Sequence, residues 1–310
     1  MQLSIFGDTI RRADRRVYLV NVGVNLSHKL RSPIFPDNHF EFVPIPEGSS
    51  VSECLPAAIH PITYSDLYCY NSSAELRSLF SPKMQDDFAD HVVHYDPTLG
   101  NKNDGIHAAF SYGDIPYVTA RASSLRHAQP GDLLFFLANL CAYDCEKGRF
   151  IAGQRGLYLI GLIEIDVIVE YSPLHGQQLY APYTATSYDL LEFGRNAHVN
   201  HLLTMPHRYA EQPFTIFEGT HRSTRFVKAV PITLDICNTC LRDKNDLLFD
   251  YGKFESVSAC IGAYTRAVRP QFDLRHVSHR ERFELFLHSI REYNSIPDLS
   301  DNIGVQQLQP

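Results

Sequence analysis

The feature that most constrains the fold of this chain is a set of short apolar runs at residues 17–24, 133–137 and 157–163. Each run is rich in β-branched, leucine or phenylalanine side chains and is bounded by residues that favour turns. Runs of this length and composition are typical of strands that are buried inside a sheet. The sequence therefore predicts a β-sheet core whose central strands come from distant parts of the chain.

Weaker patterns add short strands and a few helices. Strand patterns occupy residues 40–43 and 91–95, and helices are predicted near 73–79, near 83–91 and over 279–293. The last helix is the clearest, because Phe283, Phe286 and Ile290 fall on one side of it. Strands and helices do not alternate along the chain, which disfavours a doubly wound parallel sheet. The prediction is an α+β fold with a mixed, mainly antiparallel β-sheet or half-open barrel and peripheral helices.

No repeat or low-complexity linker divides the chain, so one continuous domain is predicted over residues 17–294. An N-terminal extension at residues 1–16 would precede it, and a tail at residues 295–310 would follow it. Hydrophobic residues make up 44% of the chain and charged residues 20%, values typical of a globular protein. A chain of 310 residues is long enough to bury a large core.

Charge and apolar length disfavour two broad classes of protein. A net charge of −7 argues against a surface that binds nucleic acid throughout, because phosphate binding depends on Lys and Arg, so contact with a nucleic-acid partner has to be local. No apolar run is long enough to cross a bilayer, and no membrane partner is expected. The N-terminus lacks the apolar core of a signal peptide. These observations predict a cytoplasmic protein.

The seven cysteines indicate free thiols, because an odd number cannot be fully paired within one chain and no export signal precedes them. Cys237 and Cys240 have the spacing of half a zinc site, and Cys141 and Cys145 offer a second pair. If the pairs converged, four thiolates would form a structural zinc site. Unrelated cysteines in two loops are the simpler interpretation, so the sequence assigns no metal ligands and leaves any cofactor unknown.

The end of the predicted strand at 91–95 carries the main candidates for catalysis. His94 and Asp96 lie two residues apart, so their side chains should point to the same face. Together with His198 they would bind a divalent metal or transfer protons, since His titrates near neutral pH and carboxylates bind hard cations. Alternatively, Asp96 only caps the segment that begins at Pro97.

Polar and aromatic side chains elsewhere are candidates for binding a base or nucleotide. Asn196 would pair with the edge of a base, or would act as the N-cap of a helix. Ser223 and Arg225 would bind phosphate, with Arg266 extending the same basic patch, or would lie on an exposed strand edge. Tyr112 belongs to a long loop whose aromatic rings would stack an extruded base, or would only pack.

Four patches in chain order carry a family resemblance. They comprise residues 19–23 with 32–47, residues 94–97 with 131–136, residues 196–198 with Ser223, Arg225 and 229–232, and residues 262–266. Together they resemble the third of the nucleotide-modification-associated domains, a family named for its association with DNA-base-modifying enzymes. Residues 131–136 also resemble a strand of PUA-like barrels, which read modified or flipped bases.

The resemblance implies that the four patches converge on one face and that base-modification enzymes are possible partners. The residues expected to surround a common pocket are His94, Asp96, Asn196, His198, Arg225 and Arg266. The leading interpretation is a protein that recognises or processes a modified base or nucleotide, within nucleic acid or free.

Two other interpretations stay open from the sequence. One is a metal-assisted hydrolase or nucleotide-processing transferase that uses His94, Asp96 and His198. The other is a protein-interaction scaffold whose aromatic loop is an interface. A metal site beside His94 and Asp96 would favour the enzyme, whereas an apolar pocket with stacked aromatic rings would favour base recognition.

Overall fold

A long β-hairpin forms the centre of the fold. The computed structural model describes residues 15–25, 27–47, 61–99, 110–176, 178–241, 254–261 and 268–295. Strand β6 (Leu133–Asp144) pairs antiparallel with β7 (Arg149–Tyr171), and the turn between them has Gly148 at a φ of 60°. A left-handed φ of this kind favours glycine. Most of the residues between the second and third apolar runs therefore belong to these two strands.

Further strands extend the hairpin into a ten-stranded mixed sheet. These strands are β1 (Arg16–Val22), β2 (Ser32–Ile34), β5 (Ser111–Asp114), β8 (Gln178–Ala181), β9 (Thr186–Asp189), β10 (Phe214–Gly219), β11 (Thr224–Pro231) and β12 (Val268–Asp273). Strands β1 and β2 run parallel to β6, and the other described pairings are antiparallel. The main path runs β12-β1-β6-β7-β10-β5 without closing into a barrel among the described strands. The α+β prediction is confirmed, and the PUA-like geometry stays a prediction.

The remaining elements are a two-stranded ribbon and peripheral helices. The ribbon consists of β3 (Ile45–Pro46) and β4 (Val93–His94). The helices are α1 (Pro82–Phe88), α2 (Ala197–Thr204), α3 (Pro206–Tyr209), α4 (Leu234–Thr239), α5 (Val257–Ile261) and α6 (Val277–Arg291). Helix α6 confirms the helix predicted over 279–293. No helix in the described part of the chain is long and apolar enough to cross a membrane.

Two predicted elements differ from those observed. Residues 73–79 contain only a 3-10 helix at Leu76–Leu79. Residues 41–43 form no strand ladder, because the Val43 N–H donates to the Ser32 hydroxyl (3.1 Å) instead of to the carbonyl of a partner strand. Local side-chain acceptors of this kind compete with sheet pairing.

The central strands are apolar at successive positions because both faces of the sheet are covered. On one face, Leu19, Leu133 and Phe135 belong to a core that includes the buried side of α6. On the other face, Tyr18 and Leu134 belong to a second core. Neighbouring residues of one strand point to opposite faces, so each apolar run supplies both cores.

The six described cysteines form no disulfide bond. Cys237 and Cys240 are buried in the core that contains α6, whereas Cys145 is exposed in the turn of the hairpin. Among the described residues, the groups close enough to share a metal ion contain histidines and carboxylates but no cysteine. The zinc interpretation of the cysteine pairs is therefore unsupported.

The elements that build the candidate site meet at one end of the sheet path. Strand β3 pairs with β4, which places Ile45 opposite His94. Strand β5 is the last strand of the path and pairs with β10. Helix α2 follows a 3-10 helix at Leu190–Phe193 and contacts both β4 and β5.

Candidate metal centre

Two short segments bring a strand histidine and two helix histidines together. His94 lies at the end of β4, and His198 and His201 lie one turn apart on α2. The ring centroid of His94 is 5.1 Å from that of His198 and 5.6 Å from that of His201. His94 is therefore the common neighbour of both α2 histidines.

Aromatic side chains support the two α2 histidines from behind. The His198 ring stacks on Phe214 of β10 at a centroid distance of 5.6 Å. The His201 ring stacks on Tyr209 of α3 at 5.2 Å. Stacked contacts restrict ring rotation, so both imidazoles are held facing His94.

The N-cap of α2 fixes this helix against β5. The Asn196 side chain accepts a hydrogen bond from the His198 backbone N–H (3.1 Å), and Asn196 is only 1% exposed. Its amide group also donates to the Ser111 hydroxyl on β5 at 3.5 Å. The structure therefore shows the N-cap alternative for Asn196, and its amide faces the protein interior.

A glycine on β5 allows the helix and the β4 segment to approach each other. A Cβ atom on Gly113 would lie 2.5 Å from His198 Cδ2, 2.8 Å from Asn196 Oδ1 and 3.0 Å from Asp96 Oδ2. The Gly113 N–H also donates to Asp96 Oδ2 at 2.7 Å. No larger side chain fits between these groups without displacing them.

Two carboxylates complete the cluster. Glu47 Oε1 lies 2.9 Å from His94 Nδ1, and Asp96 Oδ2 lies 3.9 Å from His198 Nε2. The potential ligand atoms of one set, Glu47, His94 and His201, lie within 4.8 Å of one another, and so do those of a second set, His94, Asp96 and His198. The two sets share His94, so a metal ion bound by either set would contact it.

Apart from His94 Nδ1, which lies 2.9 Å from Glu47 Oε1, two polar atoms of the cluster are buried without a hydrogen-bond partner in the described part of the chain. They are Oδ1 of Asp96, whose side chain is 1% exposed, and Nε2 of His201. An unpartnered buried polar group costs about 1–3 kcal/mol, and a cation bound by the set that contains His201 would remove this cost for His201 Nε2. The cluster therefore has acceptor atoms that the protein itself leaves unused.

The electrostatics of the cluster favour neutral His198 and His201 and an ionised Glu47, whereas they disfavour the ionised form of Asp96. Burial lowers the pKa of His198 well below its ordinary value, and it lowers the pKa of His201 to about 4. Burial raises the pKa of Glu47, but the contact with His94 outweighs this and lowers that pKa to about 2. Burial raises the pKa of Asp96 well above its ordinary value. The α2 histidines are thus neutral, the form of imidazole that binds metals.

Tyr112 does not line this cluster or any open surface. Its ring is buried, lies nearly parallel to that of Phe217 at 6.3 Å, and its hydroxyl donates to Asp114 Oδ2 at 2.5 Å. The residue belongs to the second core of the sheet. Both its ring and its hydroxyl have contacts within the protein, and base stacking by Tyr112 stays a prediction that this geometry does not support.

Ser223 and Arg225 have structural contacts away from the histidines. The Ser223 hydroxyl accepts the Glu164 N–H at 3.2 Å. The Arg225 guanidinium donates to the Phe40 carbonyl (2.7 Å), lies 4.0 Å from the Tyr70 ring centroid and 3.5 Å from Glu41 Oε2. Both residues are buried, and the phosphate contact predicted for them stays a prediction. Arg266 lies outside the described residues.

Three residues of the cluster were not assigned a role from the sequence. His201 could have been found, because it follows His198 at the spacing that places two side chains on one helical face. The sequence gives no reason to assign Gly113 to a site, since a single glycine in a loop-like segment is compatible with many turns. Glu47 is brought to His94 by the pairing of β3 with β4, which neither short segment predicts.

Comparison with known proteins identifies a family over most of the fold. The family described as "Nucleotide modification associated domain 3" matches residues 16–233, a range that contains every residue of the cluster. Neither a curated protein sequence nor a solved structure matches the chain. The chain therefore belongs to the family of nucleotide modification associated domain 3.

Proposed function

We propose that this protein is a metal-dependent hydrolase that acts on a modified base or nucleotide. The observation that carries the proposal is the partly buried cluster of three histidines and two carboxylates with polar atoms left unpartnered. The family description associates the domain with nucleotide modification and supports the substrate class. The buried internal contacts of Tyr112, Ser223 and Arg225 do not support the alternatives in which these residues stack a base or bind phosphate.

Glu47, His94 and His201 are the proposed ligands. Two imidazole nitrogens and one carboxylate oxygen form a common ligand set for a catalytic zinc ion, which keeps a further position open for water or substrate. The side chains of His94 and Glu47 are 22% and 25% exposed, so this set faces solvent on one side. The second set is more enclosed, because Asp96 is almost fully buried and already accepts the Gly113 N–H.

Asp96 and His198 then lie beside the bound ion as a pair for proton transfer. When bound, a divalent ion lowers the pKa of a coordinated water, which becomes a nucleophile at neutral pH. In hydrolysis the hydroxide part of water joins the electrophilic atom, the bond to the leaving group breaks, and the remaining proton passes to that group. The carboxylate and the imidazole, 3.9 Å apart, are placed to accept and return this proton.

Metal binding by purified protein tests the first part of the proposal. Protein stripped with a chelator should bind one Zn²⁺ or Mn²⁺ ion in calorimetric titration. The variant His94→Gln should bind at least about 100-fold more weakly, because it removes the ligand that both sets share. His288→Gln is the matched control, since His288 is exposed at the end of α6 and should leave the affinity unchanged. Equal affinities in the wild type and His94→Gln would contradict the site.

Product analysis tests the second part. Metal-loaded protein should convert a member of a panel of modified nucleotides into products whose masses sum to substrate plus one water. His94→Gln should abolish the conversion, whereas His288→Gln should retain it. If the protein binds iron and the substrate gains an oxygen atom, the reaction is an oxidation and the hydrolase proposal is wrong. This outcome is a real test, because two histidines and a carboxylate also form the ligand set of non-haem iron oxygenases.

A further inference from the structure

A cavity lies on the opposite face of the sheet from the candidate metal centre. Its volume is about 290 Å³, close to the lower limit of small-molecule sites. Thr215 of β10 lines the cavity, and the preceding residue, Phe214, carries the stacked ring of His198. Neighbouring strand residues point to opposite faces, so the cavity and the metal centre are separated by the sheet.

Two exposed tyrosines form walls of this cavity. Tyr117 and Tyr183 are each 54% exposed although both rings are large and apolar. The Tyr117 hydroxyl donates to Glu170 Oε1 at 3.1 Å, and the Tyr183 hydroxyl donates to the Ala128 carbonyl at 3.2 Å. Each ring is therefore held at its polar end while about half of the residue stays exposed. Rigid, exposed aromatic faces are the usual platform for planar ligands.

A cationic and an anionic side chain at the rim add a hydrogen-bond donor and a hydrogen-bond acceptor. The Arg126 guanidinium lies 5.6 Å from the centroid of the Tyr117 ring, and its Nε donates to the Pro116 carbonyl at 2.7 Å. Glu170 Oε1 accepts the Tyr117 hydroxyl, and a carboxylate has acceptor positions for further donors. The cavity thus combines an aromatic wall, a cation and a carboxylate.

The floor contains a polar atom without a partner. Thr215 is 2% exposed, and its hydroxyl makes no hydrogen bond to any described residue. Buried hydroxyl groups are normally paired, and an unpaired one costs about 1–3 kcal/mol. A ligand atom that donates to or accepts from this hydroxyl would remove the cost.

We propose that this cavity binds a nucleobase that carries an exocyclic amino group, such as adenine or cytosine. A planar ring matches the tyrosine walls, the amino group can donate to Glu170, and the buried Thr215 hydroxyl can pair with a ring nitrogen or a carbonyl. The base comes from a free nucleoside or nucleotide, or from an unpaired position in a strand. The inference depends on the cavity residues alone and stands or falls separately from the metal centre.

Calorimetric titration of the full chain with nucleosides tests this site. Adenosine or cytidine should bind at least about tenfold more tightly than thymidine, which has no amino group to donate to Glu170. The variant Thr215→Val, which keeps the shape and removes the hydroxyl, should weaken binding by about 3- to 10-fold. Thr215→Ser restores the hydroxyl and should bind as the wild type does. Tyr117→Ala should weaken binding at least about tenfold.

Two further experiments identify the source of the ligand and distinguish a failure of this site from a failure of the metal centre. An oligonucleotide with one unpaired adenine should compete for the site if the base comes from a strand, and should not compete if the ligand is a free nucleoside. His94→Gln should bind nucleosides normally although it loses the metal. The proposal is overturned if no nucleoside binds at millimolar concentration, or if Thr215→Val and Tyr117→Ala bind as tightly as the wild type.

Discussion

Gly113 shows how one small residue determines the geometry of a site. The residue itself has no chemistry to contribute except its N–H, which donates to Asp96. Its missing side chain lets α2 and the segment after β4 approach the same strand, so that imidazole, amide and carboxylate meet above it. Close approach of this kind is a reason to expect glycine at a position without a turn.

Replacing Gly113 by alanine should therefore damage the metal centre more than it damages the fold. The new Cβ would meet His198, Asn196 and Asp96 at 3.0 Å or less, so at least one of them has to move. We expect metal affinity to fall at least about tenfold, as measured by calorimetry. Gly194→Ala is the matched control, because its Cβ would approach only the Leu191 carbonyl, at 3.4 Å. Unchanged metal affinity in Gly113→Ala would show that the close packing is not needed for the site.

At the scale of elements, a buried carboxylate joins the starts of two central strands. Asp132 accepts the backbone N–H of Arg16 at 2.8 Å and that of Gln129 at 2.9 Å, just before β6 begins. Burial raises the pKa of Asp132 to about 6, although these hydrogen bonds and the nearby arginines lower it. The turn that starts the central hairpin is therefore sensitive to pH.

Stability should depend on pH through this group. The folded protein holds the Asp132 proton more tightly than the unfolded chain, whose aspartates titrate near 3.9. The resulting stabilisation is complete below pH ~4 and is lost as the pH rises through about 6. The free energy of unfolding of the wild type, minus that of Asp132→Asn, should fall by about 1 kcal/mol per pH unit over this interval. A difference that stays constant or grows with pH in urea denaturation would contradict the shift.

The elements that the sequence predicts well are those whose burial is uniform. The runs at 17–24 and 157–163 are strands because both sheet faces are covered, and α6 has a clear apolar side. The outer part of the β6–β7 hairpin was not predicted, because residues 149–155 mix apolar and polar side chains, are largely exposed and are held by pairing with β6. Residues 41–43 have the pattern of a strand, but the Val43 N–H donates to the Ser32 hydroxyl and not to a neighbouring strand.

The candidate site was predicted only as far as local spacing allowed. His94 with Asp96 follows from strand alternation, and His198 was singled out beside them. The sequence left two roles for Asn196, pairing with a base or capping a helix. Its side chain accepts the His198 backbone N–H at 3.1 Å, which is the capping hydrogen bond. Arg225 looked like a phosphate ligand because its charge is visible in the sequence, whereas its burial against Phe40 and its partner Glu41 depend on tertiary structure.

At the scale of the whole molecule, the sheet separates two sites with different chemistry. On one face lies the proposed metal centre of histidines and carboxylates, and on the other face tyrosines and Glu170 line the cavity proposed to bind a base. The family match covers both, since it extends over residues 16–233. The proposed ligands Glu47, His94 and His201 come from three separate parts of the chain, so the metal centre exists only in the folded molecule.

Diffraction at the zinc absorption edge from crystals grown with Zn²⁺ tests the central claim most directly. The account predicts an anomalous peak about 2 Å from a nitrogen of His94, a nitrogen of His201 and an oxygen of Glu47. Asp96 and His198 should lie beside this peak without contacting it. A zinc ion bound by Asp96 and His198 but not by Glu47 and His201 would contradict the proposed ligand set. A well-ordered cluster without any peak would contradict the metal centre itself.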